Sequence, residues 1–472
     1  MAIEQGMFET LQGRRYVCFD YPNPCNEDVD VRVAVLDSPS TISAESESVV
    51  TAAMLVPRGR ENDWIFSTES GHNQLLSSVR ASRLIVIART PSASSSPLVR
   101  KGKDEDEELK KGMIPLLLAL SPRAAFRGGL PAVPFLCYTD NIVEHKILET
   151  LSSPITGMMV VEDVRLQVGE TAREWRRRLR FQRMPNLVQT EVALIHCHGK
   201  NLNVDAGRLV HPYLPPIVAG LALLPECCTV RMRVLCIGVG GGALLMFLRS
   251  HFSFHMDIVG VEMDQVVLIA AKKYFGLAET EAEGLRLRLG DGLQVVQTIA
   301  RQVVSNHPHF VPPEIAQAWH HFFPSPNPNP ETKVYGVFHD SIGDDLTDPR
   351  QHVIIVDVDA GDAAAGGLSA PPLEFIEKRF LLAARIALHP NGILAMNIID
   401  QHQSFYNHLL TALREVFHDI YCIQVSNSNA HNYVLFASPS CLQGKNKDNA
   451  FANKLKKVIP VEYMEGIKHV RQ

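Results

Sequence analysis

The 472 residues carry 46 Lys plus Arg against 51 Asp plus Glu, a formal charge of −5, so no global basic field argues for a nucleic-acid partner. At 46% hydrophobic and 21% charged, the composition is that of a globular protein long enough for two domains, each with a sizeable apolar interior. The nine cysteines include no CxxC pair, and Cys227 and Cys228 are adjacent, which suits reduced thiols in cytosol or nucleus better than disulfides or a zinc site.

The start, MAIEQGMFETLQGRRYV, has no basic stretch followed by an apolar one, so no secretory signal is expected. The longest apolar runs, MIPLLLAL and IVAGLALLP, fall far short of the roughly 20 residues that a membrane helix needs. In the first ninety residues VRVAVLD, VVTAAMLV and RLIVIA read as strands. The Ser/Pro and mixed-charge stretch RTPSASSSPLVRKGKDEDEELKKG predicts a loop leading into a solvated helix through MIPLLLAL. PFLCYTD, MMVVEDVRL, WRRRLRFQR and NLVQTEVALI then resume the strand pattern, which predicts a mixed, strand-rich N-terminal domain over 1–210. Six arginines crowd Arg173 to Arg183. They read as the solvated face of a strand, the alternative being an attraction for RNA, the ribosome or an acidic protein surface.

From Arg231 the pattern turns to regular strand–helix alternation: RVLCIGV, GALLMFLRSHF, MDIVGVEM, DQVVLIAAKKYFG, GLRLRLGD and GLQVVQTIARQV make three βα units. That rhythm builds a parallel sheet covered on both faces, here over 211–440. The Pro/Asn-rich segment 305–350 is weakly patterned and reads as an insertion, either a flap or disordered. Alternation returns with HVIIVDVD, PPLEFIEKRFLLAARIAL, GILAMNII and SFYNHLLTALREVF, and IYCIQVS and NYVLFAS follow. The short NSNAH link between the last two forces an antiparallel hairpin. The segment 441–472 reads as a peripheral tail.

LCIGVGGGALLMFL places glycines at a strand end, where the backbone can approach a ligand and a helix N-terminus presents free N–H groups. Read from Gly238 it fits GxGxxA, a dinucleotide turn; read as GxGGG it fits the looser turn for S-adenosylmethionine. Glu262, 24 residues on at the end of the next strand, is placed to accept two ribose hydroxyls in either case. Three features favour S-adenosylmethionine. GDG at Gly290 to Gly292 sets Asp291 at the adenine position, with a helix cap as the alternative or simultaneous role. The closing antiparallel hairpin departs from the six-strand parallel dinucleotide order. VDVDAGD brings Asp357, Asp359 and Asp362 to the carboxyl edge, where mutual repulsion can raise one pKa and make a usable base.

VLCIGVGGGALLMFL, VGVEMD, AAKKYFGL, GDGL and VIIVDVDAGD followed by PPLEFIE resemble the C-terminal half of the methyltransferase-like proteins that dually methylate translation elongation factor one-alpha, a half itself akin to spermidine synthases. The likeness extends upstream through LVPRGRENDWIFSTESGHNQLLSSV, RRRLRFQRMPNLVQTEVAL and IVAGLALL. It implies a Rossmann-like class I methyltransferase sheet with an antiparallel last strand. The implied activity is S-adenosylmethionine-dependent methylation of the elongation factor's N-terminal glycine amine in the cytoplasm, with a homodimer expected and no membrane or direct nucleic-acid partner. Residue by residue, it places Gln189, Gly238, Gly240 and Gly242 about the methionine moiety, Glu262 at the ribose and Asp291 with Gly292 at the adenine. Asp357 falls on the cofactor side, and Asp359 and Asp362 match the synthases' paired catalytic aspartates. Departures are the DAGD loop, which lacks the synthases' following proline, and HPYLPPIVAGLALL, where Pro215 and Pro216 are expected to disturb a helix start. No second glycine-rich turn precedes residue 200, so the lysine-methylating half has no counterpart, and the chain reads as a single-activity relative or an incomplete gene model. Two other classes use the same fold: an aminopropyltransferase of polyamine synthesis and a cofactor-binding scaffold without catalysis. The histidines lack ligand spacing on a common element, so no metal is expected.

Overall fold

The β-branched runs of the first ninety residues form strands, and the computed structural model describes residues 6–25, 30–38, 49–57, 60–61, 64–79, 81–89, 103–127, 129–136, 142–168, 172–183, 188–197, 201–225, 231–279, 284–324, 348–360, 368–400, 403–425, 431–442 and 450–470. The chain divides into two units, 1–141 and 142–472. In the first, β1 (Tyr16–Pro22), β2 (Asp30–Asp37), β3 (Thr51–Leu55), β4 (Arg83–Arg89) and β5 (Phe135–Leu136) lie in the order β1-β2-β4-β3-β5, with α1 (Trp64–Ser67), α2 (Glu69–Ser78) and α3 (Lys103–Ala119) between them. Helix α3 buries Leu109, Met113 and Leu117, spaced four apart on one face, with Val33, Ile85 and Ile87, so it is amphipathic rather than wholly solvated. Arg83 is fully buried in this unit, forked onto Asp37 at 2.6 and 2.9 Å and donating to the Phe8 and Leu120 carbonyls at 2.6 Å.

The second unit opens with an antiparallel meander, β6 (Ile142–Ser153), β7 (Gly157–Val168), β8 (Ala172–Phe181), β9 (Val188–Cys197) and β10 (Asn201–Leu209), in the order β10-β9-β8-β7-β6. After α4 (Leu214–Ala219) comes the alternating region: β11 (Met232–Ile237), α5 (Ala243–Phe252), β12 (Met256–Glu262), α6 (Gln265–Tyr274), β13 (Leu285–Leu289), α7 (Gly292–Asn306), α8 (Pro313–Phe322), β14 (Gln351–Val356), β15 (Leu368–Ala370), α9 (Lys378–Ala387), β16 (Leu388–Asp400), α10 (Gln403–Arg414), β17 (Asp419–Gln424) and β18 (His431–Ser438). The chain continues through α11 (Ala450–Leu455), α12 (Val461–Glu465) and β19 (Lys468–His469). The sheet order is β13-β12-β11-β14-β16-β18-β17-β19, and β18 runs antiparallel between β16 and β17. This is the doubly wound sheet with an antiparallel last strand that the alternation and the short NSNAH link call for. The continuous apolar run of β11 serves both faces. Val234 and Cys236 join one core with α5 and α6, whereas Leu235 and Ile237 join the other with α7, α9 and α10.

Four expectations change. The division falls between 141 and 142 rather than near 210, because Met159, Val161, Leu179, Phe181, Val192 and Leu194 of the meander share one core with Val234, Leu245 and Ile258. The tail is integral, since Phe451, Leu455 and Ile459 are buried in that core and β19 pairs with β17. Four arginines of β8 are partly buried and paired: Arg176 and Arg178 meet Glu191 at 2.7 and 2.6 Å, Arg177 meets Asp163 at 2.7 Å and Arg180 meets Glu162 at 2.6 Å. Carboxylates on the flanking strands neutralise these four, so the run is not simply a solvated face. Pro215 and Pro216 stand in the first turn of α4, where a missing N–H costs nothing and a fixed φ helps. In the insertion, α8 buries Ile315 and Trp319 in the core, while 325–347 lie outside the described residues.

Candidate active site

The turn after β11 needs glycine for stated reasons. Gly238, Gly240 and Gly242 have φ of +86°, +53° and +80°, a region that L side chains rarely adopt. A Cβ at Gly238 would sit 2.0 Å from the Asp357 carbonyl oxygen, because β11 and β14 are paired neighbours and their ends converge there. The turn is fixed by bonds to its surroundings: Gly238 N–H donates to the Val261 carbonyl at 2.9 Å and Gly241 N–H to Thr190 Oγ1 at 2.8 Å.

Glu262 ends β12 directly beside this turn. Its Oε2 accepts from the Val239 and Gly240 N–H groups at 3.0 and 3.3 Å, and its Oε1 accepts from the Asp264 N–H at 3.1 Å. Burial pushes its carboxyl up, and backbone hydrogen bonds from Val239, Asp264, Gly240 and Met263 pull it back. Asp291, after β13, caps α7 by accepting from the Leu293 N–H at 2.8 Å. It therefore holds the cap role and faces the cavity as well.

The turn, the ends of β12, β13 and β14, and the end of β9 surround one cavity of about 870 Å³. Gln189, Gly238, Gly240, Glu262, Asp291, Gly292, Asp357 and Asp359 all line it. Gly242 does not: it caps α5, and a Cβ there would meet Leu277 at 2.8 Å. Asp362 lies outside the described residues. Asp359 is ion-paired with Arg183, Oδ1 to Nη1 at 2.7 Å and Oδ2 to Nη2 at 3.1 Å. Asp357 is the deeper carboxylate. Tyr213 donates to its Oδ2 at 2.9 Å and the Asn397 side-chain amide approaches its Oδ1 at 3.4 Å. Burial pushes Asp357 up to about 6 despite these donors, with the Asp359 charge adding to the rise.

Tyr213, Asn397, Thr190 and Arg183 are wall residues that the motifs alone did not single out. Asn397 had a visible signal, since it is the lone amide inside the apolar run ILAMNII of β16 and is only 3% exposed. Tyr213 had a weaker one in HPY. Two buried polar atoms of this wall, Gln189 Nε2 and Asn397 Oδ1, have no hydrogen-bond partner among the described residues. Such atoms are costly unless a ligand or solvent serves them.

No family model matches the chain. Among curated proteins, the chain is 27% identical over 438 residues to the eEF1A lysine and N-terminal methyltransferase of Xenopus laevis, covering 86% of this chain and 53% of that one. To the protein of the same name from Homo sapiens it is 25% identical over 435 residues, covering 85% and 52%. The chain thus spans about half the length of the curated relatives it matches. Among solved structures, human Methyltransferase-like protein 13 in complex with SAH is 21% identical, with a TM-score of 0.39, covering 56% of this chain and 96% of that one.

Proposed function

We propose that this chain is a methyltransferase that uses S-adenosylmethionine to methylate a protein amine, the N-terminal α-amine of translation elongation factor one-alpha. One observation carries the reading. The glycine turn, Glu262 and Asp291 sit at three successive strand ends and wall one cavity that Asp357, at the end of the neighbouring β14, also lines. The relatives' printed names support the same acceptor, and the cytoplasm is the compartment that goes with it.

The residues fit the cofactor. Glu262, at the end of β12, is the carboxylate that would accept the ribose hydroxyls, in competition with the backbone donors it already serves. On this reading Asp291 and Gly292 serve the adenine, and Gly238, Gly240 and Gln189, whose Nε2 has no partner among the described residues, serve the methionine end; all of them line the cavity. When bound, S-adenosylmethionine supplies an electrophilic methyl group on a sulfonium.

An attacking amine must be neutral, and an α-amine titrates at about 7.7 to 8, so the protein needs to accept only one proton near neutral pH. Asp357, at about 6 and joined to Tyr213, is matched to accept that proton or a hydrogen bond from the amine. Asp359, at the same wall, is the second carboxylate, ion-paired with Arg183. Alignment of the amine supplies most of the acceleration.

The test is incubation of the purified protein with methyl-labelled S-adenosylmethionine and recombinant elongation factor. Label in the N-terminal peptide is the expected result. Absence of label there, with cofactor binding intact, overturns the acceptor, and turnover of decarboxylated cofactor with putrescine would replace the reading with aminopropyl transfer.

A further inference from the structure

Away from the cavity, at the far end of the sheet, three side chains of metal-binding type meet, and a fourth, His469, approaches one of them. His418 immediately precedes β17, Asp419 begins it, Cys441 follows β18, and His469 lies on β19 opposite Tyr421. One donor atom from each of His418, Asp419 and Cys441 lies within 4.8 Å of the other two. His418 Nδ1 is 3.1 Å and His469 Nε2 is 3.6 Å from the same oxygen, Asp419 Oδ1.

Those separations have a physical meaning. A tetrahedral ion with bonds of about 2.0 to 2.1 Å to nitrogen and oxygen holds adjacent donors about 3.3 Å apart. The 3.1 Å between His418 Nδ1 and Asp419 Oδ1 is close to that edge. The other oxygen of Asp419 is already occupied, accepting from the Leu442 N–H at 2.7 Å and the Tyr421 hydroxyl at 3.1 Å. These bonds fix the carboxylate with Oδ1 turned to the two imidazoles, the outer-sphere support that metal ligands ordinarily have. Asp419 is 4% exposed at its side chain and His418 59%, so the cluster joins a fixed buried carboxylate to donors that solvent reaches.

We propose that His418, Asp419 and Cys441 form a binding site for one Zn²⁺-class divalent cation at the edge of the sheet, with solvent as the fourth ligand. The donor set of thiolate, imidazole and carboxylate is that of a borderline-soft tetrahedral ion rather than of Mg²⁺ or Ca²⁺. Binding forms one metal–sulfur, one metal–nitrogen and one metal–oxygen bond from the protein, and the Cys441 thiol proton leaves to solvent. The thiolate and carboxylate together neutralise the ion's charge. The donors come from the ends of two strands, β17 and β18, so no local spacing reveals them. The site is independent of the methyl-transfer reading and asks nothing of it.

The experiment uses the full chain, reduced, stripped with a chelator and titrated with Zn²⁺ alone by calorimetry, and separately with Co²⁺ followed by absorption. The expected result is one saturable equivalent with a thiolate-to-cobalt charge-transfer band. Cys441→Ser and His418→Ala, both at exposed positions, should each lower affinity by at least about 100-fold with circular dichroism unchanged. Tyr421→Phe, which removes only the outer support, should lower it about 10-fold. Lack of a saturable equivalent, a cobalt spectrum without the thiolate band, or equal affinity in the Cys441→Ser/His418→Ala double variant each overturns the site.

Discussion

Asp357 concentrates the chemistry of the cavity in one carboxylate. Burial lifts it to about 6 in the folded chain, against about 3.9 when unfolded. Between these values the folded state holds a proton that the unfolded state has released, so stability falls as pH rises from about 4 to 6. The loss reaches on the order of 3 kcal/mol, from about two units at 1.36 kcal/mol each, and persists above pH 6. Asp357→Asn should therefore melt higher than the parent at pH 7.5, with the gap closing below pH 4, while turnover falls by about 100-fold or more. Melting curves of both proteins across pH 4 to 8 check this, and a gap independent of pH would contradict it. Gly238 makes the complementary case. Its φ of +86° and the 2.0 Å approach of a Cβ to the Asp357 carbonyl predict that Gly238→Ala loses cofactor binding measured by calorimetry. The glycines, Glu262 and Asp291 were legible because each follows an apolar strand at fixed spacing. Tyr213 left only the weak signal of HPY and Arg183 none, because they reach the wall from beside α4 and from the meander, which no local spacing connects to β14.

Two elements show how tertiary position overrides a local reading. The prolines of α4 suggest a disturbed helix, yet they occupy its first turn, so Pro215→Ala should change unfolding free energy by less than about 1 kcal/mol. The next residue to resist change is instead Gly220, at the end of α4. A Cβ there would lie 2.0 Å from the ring of Phe436, which is fully buried on β18. Gly220→Ala should cost about 1 to 3 kcal/mol or more by overpacking, measured by urea unfolding against the Pro215 variant. Strand β8 carries the same lesson in charge. A run of arginines looks like a solvated face because one strand's sequence cannot show that its neighbours supply Glu162, Asp163 and Glu191 opposite it. Glu191 receives Arg176 and Arg178 and is held below the usual carboxylate range by them, against the burial that raises it. Glu191→Ala leaves Arg178 without its carboxylate while Arg176 keeps Glu174 at 2.8 Å, a loss of about 3 kcal/mol, at the lower end for a broken buried pair.

At the scale of the molecule, the alternation of strand and helix from Arg231 fixed the sheet and its reversed last strand, but the ends of the second unit were misplaced on both sides. Strand patterning cannot say which core a strand joins: the meander reads as part of the N-terminal region, yet Phe181 and Leu194 share the core of Val234. Likewise the short helices after 450 look peripheral in a lysine-containing stretch, yet Phe451, Leu455 and Ile459 are buried. Two truncations separate these readings. Removing 450–472 exposes the sites of three large apolar side chains, roughly 6 kcal/mol of burial, comparable with the 5 to 15 kcal/mol total of an ordinary domain. That protein should lose its cooperative unfolding transition. Removing 1–141 instead leaves every residue that lines the cavity within 142–472. The shortened chain should bind S-adenosylhomocysteine within about threefold of the full chain, since a ligand's affinity follows the contacts that differ and here none of the lining is lost. A fall beyond tenfold, with the fragment folded by circular dichroism, would show that the first unit shapes the cavity, and would move the boundary of the catalytic body back toward the N-terminus.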